Sequence, residues 1–507
     1  VIDFPALDQA LAMLGGSASP WLAIVPGLII GLVAGAIPGI SGSMAMAVLM
    51  PITLYMDFLT AVMLLTAVFT GAGFGGAVPA ILMKIPGTPS AVATTFDGFP
   101  MTEQGRHNEA LGIGLISSCL GVMVSYVILL VLVAPLAWAV LKLGPLELLL
   151  IAFWGLTLIA ALSGKSMARG LIAGIVGVLF GTIGMTDSGY IRGTLDIPLL
   201  LDGIPVVPAL MGLFVASQLF QTVGDEYIIS EAEKRTISFR RILAGIRETF
   251  RYPLTLIKGS LVGVFIGIIP GVGASVSNLV SYSDARRSDP DPSSFGKGNP
   301  KGVVASESAN SSSEGGSMTT LLALGIPGGN ATALLLSAFA MHNIIGGPRF
   351  IAEQRDLVYA IILGNMAQAA LLIVIGIPFV YAASRIVRVP MRYLIPSVMS
   401  VAIFGSYALT GNASGPVALL FFAILGWLMT RFDFPVVAAV IGLMLGDLVE
   451  SELIRSYQIS GGDLTYLFER PVAIVFLLLL LVSLATPLFR RLRRRKAAAT
   501  MSLAEEK

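Results

Sequence analysis

Residues 27–42 read GLIIGLVAGAIPGISG, and residues 259–274 read GSLVGVFIGIIPGVGA. Both follow the pattern GxxxGxxxGxxPGxx(G/A). A second pair lies downstream at a nearly constant offset: MKIPGTPSA from Met83 and ALGIPGGNA from Ala323. Two matched motifs in the same order indicate an internal duplication. The halves run from 1 to 225 and from 254 to 470, joined by a linker at 226–253 and followed by a final span and basic tail at 471–507.

The composition around these motifs is that of a membrane protein. Of 507 residues, 55% are hydrophobic and 12% charged, about half the charged share of an average soluble domain. An ordinary soluble enzyme is thereby excluded. The 32 basic and 30 acidic residues leave a formal charge of +2, so no basic excess points to nucleic acid. Glycine and proline are frequent but lie inside apolar stretches, which suits membrane helices better than disorder. Cys119 is the only cysteine, which excludes an intrachain disulfide, a zinc finger and a CxxC redox site. The opening VIDFPALDQALAMLGG lacks a basic n-region and does not resemble a cleaved export signal.

Apolar runs long enough to cross a bilayer recur from end to end. They cover 59–83, 111–141, 146–162, 168–186, 204–223, 357–384, 393–409, 414–430, 435–449 and 471–489. Two longer runs, 20–56 and 254–282, are interrupted at Pro38-Gly39 and Pro270-Gly271 and read as helical hairpins. The expected fold is an all-α polytopic membrane protein of about 11 full spans plus two Pro-Gly-broken hairpins.

Cytoplasmic loops carry the Lys/Arg excess. Placing the C-terminal cluster Arg490–Lys496 inside also places Lys234–Lys258, Arg286, Arg287, Arg385, Arg388 and Arg392 inside. Roughly 26 of the 32 basic residues then face the cytoplasm. The outer loops are acid-leaning, with Asp187, Asp196 and Asp202 in one and Glu450, Glu452, Asp463 and Glu469 in another. The N-terminus is expected in the periplasm and the C-terminus in the cytoplasm. An odd number of full crossings per half makes the second half enter from the opposite side. Such an inverted-topology repeat, with a site at the midplane where the halves meet, is the architecture of many secondary transporters.

Pro removes a backbone hydrogen bond and Gly tolerates positive φ, so Pro-Gly in an apolar run unwinds the backbone at membrane depth. Irregular backbone there must face protein or a polar cavity, where freed amides hold anions and freed carbonyls hold cations. The four break points define a candidate substrate site: Pro38, Gly39, Ser41, Gly42 and Ser43; Gly87 and Thr88; Pro270, Gly271, Gly273 and Ser275; Gly328 and Gly329. Ser277 and Asn278 follow the third break. The glycines at four-residue spacing, Gly27, Gly31, Gly259 and Gly263, read as close-packing positions.

At the offset set by the Ile-Pro-Gly motifs, the polar run SESANSSSEGGSMTT, from Ser306 to Thr320, overlays a first-half span, with Thr66 against Glu307 and Gly73 against Glu314. It is therefore expected inside the protein, the alternative being a solvated loop. Glu307, Asn310 and Glu314, spaced i, i+3, i+7, share one helical face. Intramembrane carboxylates mark ion or proton paths, so Glu307, Asn310, Glu314 and Asn330 form the candidate cation site. Sodium or a proton is the expected ion, with no cofactor and no transition-metal site: His107 and His342 are isolated and no HExxH is present. Walker A and GxSxG motifs are absent too, which argues against an ATP engine and an enzyme. Lys84 is either a partner for a substrate carboxylate or a snorkelling lysine. Residues 239–258, FRRILAGIRETFRYPLTLIK, form a basic amphipathic segment expected on the cytoplasmic surface.

The Pro-Gly motifs, KIPGTPSAVATTFDGFPMTEQG from Lys84 and LGIPGGNATALLLSAF from Leu324 resemble the large membrane subunit of the tripartite tricarboxylate transporters, the TctA family. The likeness runs over about 20–470. It implies a bacterial inner-membrane carrier for tricarboxylate- or dicarboxylate-like acids, driven by a cation gradient. It also implies two partners, a small membrane subunit and a periplasmic solute-binding protein that delivers substrate. Members often carry a PEAANN-like run where this chain reads SESANSS from Ser306; Glu307, Ala309 and Asn310 are kept, and the flanking Pro and second Asn are not. A channel is the alternative, but it would need a continuous polar pore.

Overall fold

The computed structural model describes residues 3–37, 40–84, 86–140, 143–162, 166–185, 191–213, 217, 238–269, 273–386, 391–463 and 465–485. These are overwhelmingly helical. In chain order the helices are α1 (Phe4–Gly16), α2 (Ser19–Ala36), α3 (Gly42–Thr53), α4 (Phe58–Gly75), α5 (Ala77–Met83), α6 (Thr94–Glu103), α7 (His107–Val140), α8 (Pro145–Leu162), α9 (Met167–Gly181) and α10 (Val206–Met211). They continue with α11 (Phe239–Thr249), α12 (Pro253–Ile268), α13 (Gly273–Ser288), α14 (Pro300–Leu324), α15 (Asn330–Met341), α16 (Pro348–Glu353), α17 (Arg355–Ile386), α18 (Met391–Thr410), α19 (Ser414–Arg431), α20 (Val436–Ser460), α21 (Tyr466–Glu469) and α22 (Pro471–Ala485). The strand content among the described residues is one antiparallel pair, Gly184–Met185 with Ile191–Arg192.

Five helical stretches are long and apolar enough to cross a bilayer: Ser19–Ala36, Phe58–Met83, His107–Leu136, Arg355–Ala382 and Ser414–Arg431. A sixth arises if α11 and α12, bent 80° at Tyr252, count as one. Shorter apolar helices include Gly42–Thr53, Pro145–Thr157, Met167–Gly181 and Asn330–Met341. This is a multi-pass helical membrane protein. The run read as 435–449 belongs to a longer helix, α20, so Glu450 and Glu452 are helical rather than in a loop.

The chain divides into two compact units, and each draws segments from both sequence halves. The first comprises 1–141 and 205–428, the second 142–204 and 429–507. Within the first, α2 lies along α4, and α12 lies along α14. The repeated glycines explain how. A Cβ on Gly31 would stand 2.2 Å from the Val68 carbonyl oxygen, and one on Gly263 would stand 2.4 Å from that of Ala309. Gly27 and Gly35 meet α4 in the same way, and Gly259 and Gly267 meet α14. Only hydrogen fits at these positions, so the two backbones pack at the close distance that small residues permit.

The helix starts are written in the sequence. Asp57 caps α4 by accepting from the Thr60 amide at 3.0 Å, and Asn299 caps α14 by accepting from Lys301, with Pro300 supplying the favoured first helical residue. Of the helices that follow the Pro-Gly motifs, α13 packs against α12, and α3 packs against α2 and α4. The amphipathic α11 lies on α7, its Gly245 against the Glu109 backbone, and Arg241 and Glu248 pair with Glu109 and Arg106 at 2.8 and 3.2 Å.

In the second unit, α9 and α20 pack through Gly177, Gly181, Gly442 and Gly446, and α8 lies against both. Glu147, buried on α8, pairs with Arg470 at 2.5 Å, and Arg192 pairs with Glu450.

The close α2–α4 contact makes a direct prediction. Gly31→Ala forces a methyl into backbone, an overpacking cost of about 1–3 kcal/mol, whereas Gly16→Ala meets open space. Thermal unfolding of detergent-solubilised protein, followed by thiol labelling of buried Cys119, should show a melting temperature several degrees lower for Gly31→Ala and unchanged for Gly16→Ala. Equal melting temperatures would contradict the packing.

Candidate functional site

The polar run Ser306–Thr320 lies in the middle of α14, a helix buried from Gly302 to Ala323. The solvated-loop alternative is set aside. So polar a helix survives in the core because its side chains are served from every side. Most serine and threonine hydroxyls satisfy backbone carbonyls: Ser313 donates to Asn310 at 2.6 Å, Thr319 to Gly315 at 2.7 Å and Thr320 to Ile268 at 2.8 Å. The two carboxylates reach outward instead.

Glu307 is fully buried and accepts from the Thr94 hydroxyl of α6 and, at 2.9 Å, from the Ser118 hydroxyl of α7. Glu314 is 3% exposed and accepts from Thr70 of α4 at 2.8 Å and from the Tyr126 hydroxyl of α7 at 3.0 Å. Between them Asn310 donates to the Gly73 carbonyl oxygen at 3.3 Å, and Ser311 lies against Gly73. The predicted face therefore exists. It points at the place where α14, from the second half, crosses α4, from the first. The expected overlay partners Thr66 and Gly73 are both on α4, and Gly73 is at the crossing itself.

Among the described residues, neither carboxylate has a basic partner: the donors to Glu314 are hydroxyls, and those to Glu307 are two hydroxyls and the Asn310 amide. No group of three or more His, Cys, Asp or Glu suited to a metal ion occurs among them either. An ionised carboxylate in such surroundings is costly unless a proton or a cation neutralises it. The Ser311 hydroxyl and the Asn278 carbonyl oxygen, both buried without a partner, add uncommitted oxygens.

The break points are grouped in two pairs. At the first, Ser41 caps α3, accepting from the Met44 amide at 3.1 Å, and lies 3.0 Å from the Ser43 hydroxyl. Gly87 donates to the Gly76 carbonyl oxygen at 3.1 Å and abuts the Gly35 carbonyl, while Thr88 lies 3.0 Å from the Ser90 hydroxyl. At the second, Ser317 donates to the Gly267 carbonyl at 3.2 Å and packs on Gly328. Gly329 caps α15, with open space beside its Cα. Across the pairs, α13 packs on the 89–91 turn, with Asn278 donating to the Ser90 carbonyl, and α3 packs on α15. Each half's post-break helix thus meets the segment beyond the other half's Ile-Pro-Gly turn.

Pro38, Gly39, Pro270 and Gly271 lie outside the described residues, and the side-chain environments of Gly273 and Ser275 do as well. Asn330 begins α15 and is not a hydrogen-bond partner of either glutamate. His107 is buried beside Asn108 and His342 packs edge-on to Phe58, so both serve packing.

Sequence reasoning missed the hydroxyl donors Thr70, Thr94, Ser118 and Tyr126, and a further buried acid, Asp97. One Asp97 oxygen accepts from three backbone amides, Gly296 at 2.9, Gly298 at 2.9 and Asn299 at 2.8 Å; the other accepts from the Tyr282 hydroxyl at 2.9 Å. Asp97 thereby ties α6 to α13 and to the entry of α14, one helical turn from Thr94 and its bond to Glu307. Nearby, the Lys301 ammonium beside Asp289 holds that carboxyl below its ordinary range. The signal for Asp97 was its neighbourhood: DGFP at 97–100 follows directly on the Ile-Pro-Gly motif.

The fold and these buried acids define a polytopic membrane protein with an ionisable interior, the class to which carriers belong. The model of the tripartite tricarboxylate transporter TctA family matches residues 21–441, and the chain belongs to that family of membrane transport components. It is 30% identical over 455 residues, 88% of this chain and 89% of the relative, to an uncharacterized 52.8 kDa protein in the TAR-I ttuC' 3'region of Agrobacterium vitis. It is 31% identical over 234 residues, 46% of this chain and 97% of the relative, to an uncharacterized protein in the TAR-II ttuC' 3'region of the same organism. No solved structure matches.

Asp97→Ala should unpair three backbone amides, at about 1–3 kcal/mol each if they stay dry. Its melting temperature in detergent should fall well below that of Asp8→Ala, which removes an exposed carboxyl from α1. Equal values for the two variants would show that the Asp97 cluster carries no stability.

Proposed function

We propose that this chain is the large transport subunit of a binding-protein-dependent secondary carrier that imports tricarboxylate- or dicarboxylate-like acids together with a cation. The observation that carries the reading is the pair Glu307 and Glu314: two buried carboxylates on one helix, at the crossing of the two halves, served by hydroxyls and the Asn310 amide and, among the described residues, by no basic side chain. A structural ion pair would supply a counter-charge. A site that exchanges its neutralising ion with solution has to leave that place open. The Na⁺ or H⁺ occupies the Glu307–Asn310–Glu314 face, and Asn310 and the Ser311 hydroxyl lend oxygens beside it. Asn330 belongs with the substrate side of this arrangement, next to Gly329.

The acid binds at the broken helices. Its carboxylates take the amides at the starts of α3 and α15 and the hydroxyls of Ser41, Ser43 and Thr88, the anion-holding use of helix starts. The pairing of α2 with α4 and of α12 with α14, and the reciprocal packing of α13 and α3 on the opposite turns, support an inverted repeat with the substrate near the membrane midplane. The chain sits in a bacterial inner membrane with its N-terminus outside and its basic end inside. A periplasmic solute-binding protein delivers the acid, and a small membrane subunit completes the complex. These partners follow from the family's tripartite description.

Counterflow of labelled citrate in proteoliposomes containing all three subunits tests the reading. Wild type should accumulate citrate against its gradient when an inward Na⁺ or H⁺ gradient is imposed. Glu314→Gln, which keeps the size and hydrogen-bonding of the side chain but fixes its neutrality, should retain citrate exchange and lose gradient-driven accumulation by about tenfold or more. Accumulation in Glu314→Gln equal to wild type would remove Glu314 from coupling.

A further inference from the structure

Where α5, α6, α13 and the 292–296 turn meet, the first unit holds an open cavity of about 750 Å³. Its wall carries three cationic side chains, Lys84, Arg286 and Arg287, and its aromatic side is made by Phe96, Tyr282 and Phe295. The three rings are joined edge to face, with centroids 5.2 Å apart for Phe96–Tyr282 and 5.6 Å for Tyr282–Phe295. No carboxylate is among the lining residues. The nearby Asp97 lies behind Tyr282 and is satisfied by three amides and that hydroxyl, and Asp284 pairs with Arg287 at 3.5 Å from the same helix.

From this geometry we infer that the cavity is a polyanion-binding vestibule at the cytoplasmic mouth of the carrier, and that Lys84 and Arg286 bind the carboxylates of the acid as it leaves. The inference rests on the carrier reading and deepens it. Three features favour a released small acid as the occupant. Lys84 immediately precedes the Ile-Pro-Gly turn that carries Gly87 and Thr88, so the cavity adjoins a proposed substrate contact. Its backbone is held in the left-handed region, with φ 61°, a conformation that costs a non-glycine residue about 1 kcal/mol or more. The surroundings thus fix a lysine at the edge of the break. Finally, Lys84 at the end of α5 and Arg286 on α13 line the same cavity from different helices, which gives a ligand with two or more carboxylates two separate cations to meet. The positive-inside rule puts this basic mouth on the cytoplasmic side.

Labelling of Ser283→Cys, an exposed lining residue, by a membrane-impermeant thiol reagent in inside-out vesicles of the full complex tests this. Cys119 is 2% exposed and stays silent. Citrate should slow labelling several-fold, while acetate at matched ionic strength should not. Adding Lys84→Gln and Arg286→Gln should leave the melting temperature of the solubilised protein unchanged, which shows an intact fold, and should raise the half-protecting citrate concentration by about tenfold or more, the value of one charge-assisted hydrogen bond. Absence of citrate protection, equal protection by acetate, or protection unaltered by the double substitution overturns the proposal. So does a cysteine already masked in vesicles of anionic phospholipid and released in zwitterionic ones, which would assign the cavity to a lipid headgroup. Citrate counterflow run in parallel separates the two levels: protection without counterflow keeps the vestibule and removes the carrier, and counterflow without protection does the reverse.

Discussion

A carboxylate buried in a low-dielectric interior must have its charge cancelled, and the rest of the molecule is organised around two that, among the described residues, no basic side chain cancels. Glu307 and Glu314 receive hydrogen bonds from hydroxyls, and Glu307 from the Asn310 amide as well. Hydroxyls orient a carboxylate and offset part of its desolvation, but they bring no net charge. On the proposed reading, the remaining charge is met by a small cation or proton from solution. Three helices contribute the hydroxyl donors, so the state of Glu307 is felt by α6 and α7 and that of Glu314 by α4 and α7.

Close helix contact makes this arrangement possible. Glycines at every fourth position let α2 seat on α4 and α12 seat on α14, which holds a polar helix such as α14 inside the bundle without a thick apolar sleeve. The same tight seams end with α2 and α12, just before the Pro-Gly motifs. Past the motifs the two halves of the chain meet: Asn278 beyond the third break reaches the Ser90 carbonyl beyond the second. Asp97 extends the connection. It sits three residues from Thr94, which holds Glu307, and clamps the amides that lead into α14, so a shift of α6 is felt both at the ion face and at the wall of the basic cavity.

Much of this was legible in the sequence because its determinants are local. The repeated GxxxG pattern, the Pro-Gly interruptions and the i, i+3, i+7 spacing of Glu307, Asn310 and Glu314 each carry their own geometry, and α14 is the buried helix that the overlay demanded. What was not legible depends on distant pairing. Nothing marks Thr70 or Tyr126 as special among the hydroxyl residues of apolar spans until α4, α7 and α14 are brought together. That Asp97 is buried has no local mark, because its solvation is decided by the distant amides of Gly296, Gly298 and Asn299. Asn330, placed with the cation ligands by its position after a motif, is the first residue of α15. The division of the chain into units that each mix both halves likewise follows from tertiary contact and has no local mark.

The most direct test of the central claim is calorimetric binding of citrate to the purified complex while sodium concentration and pH are varied. If the two glutamates are neutralised by an exchangeable cation taken up with the acid, citrate affinity should rise with sodium or with falling pH in wild type. That dependence should vanish when both are replaced by glutamine. Affinity that ignores both ions in wild type, or that keeps the same dependence in the doubly substituted protein, would contradict the account.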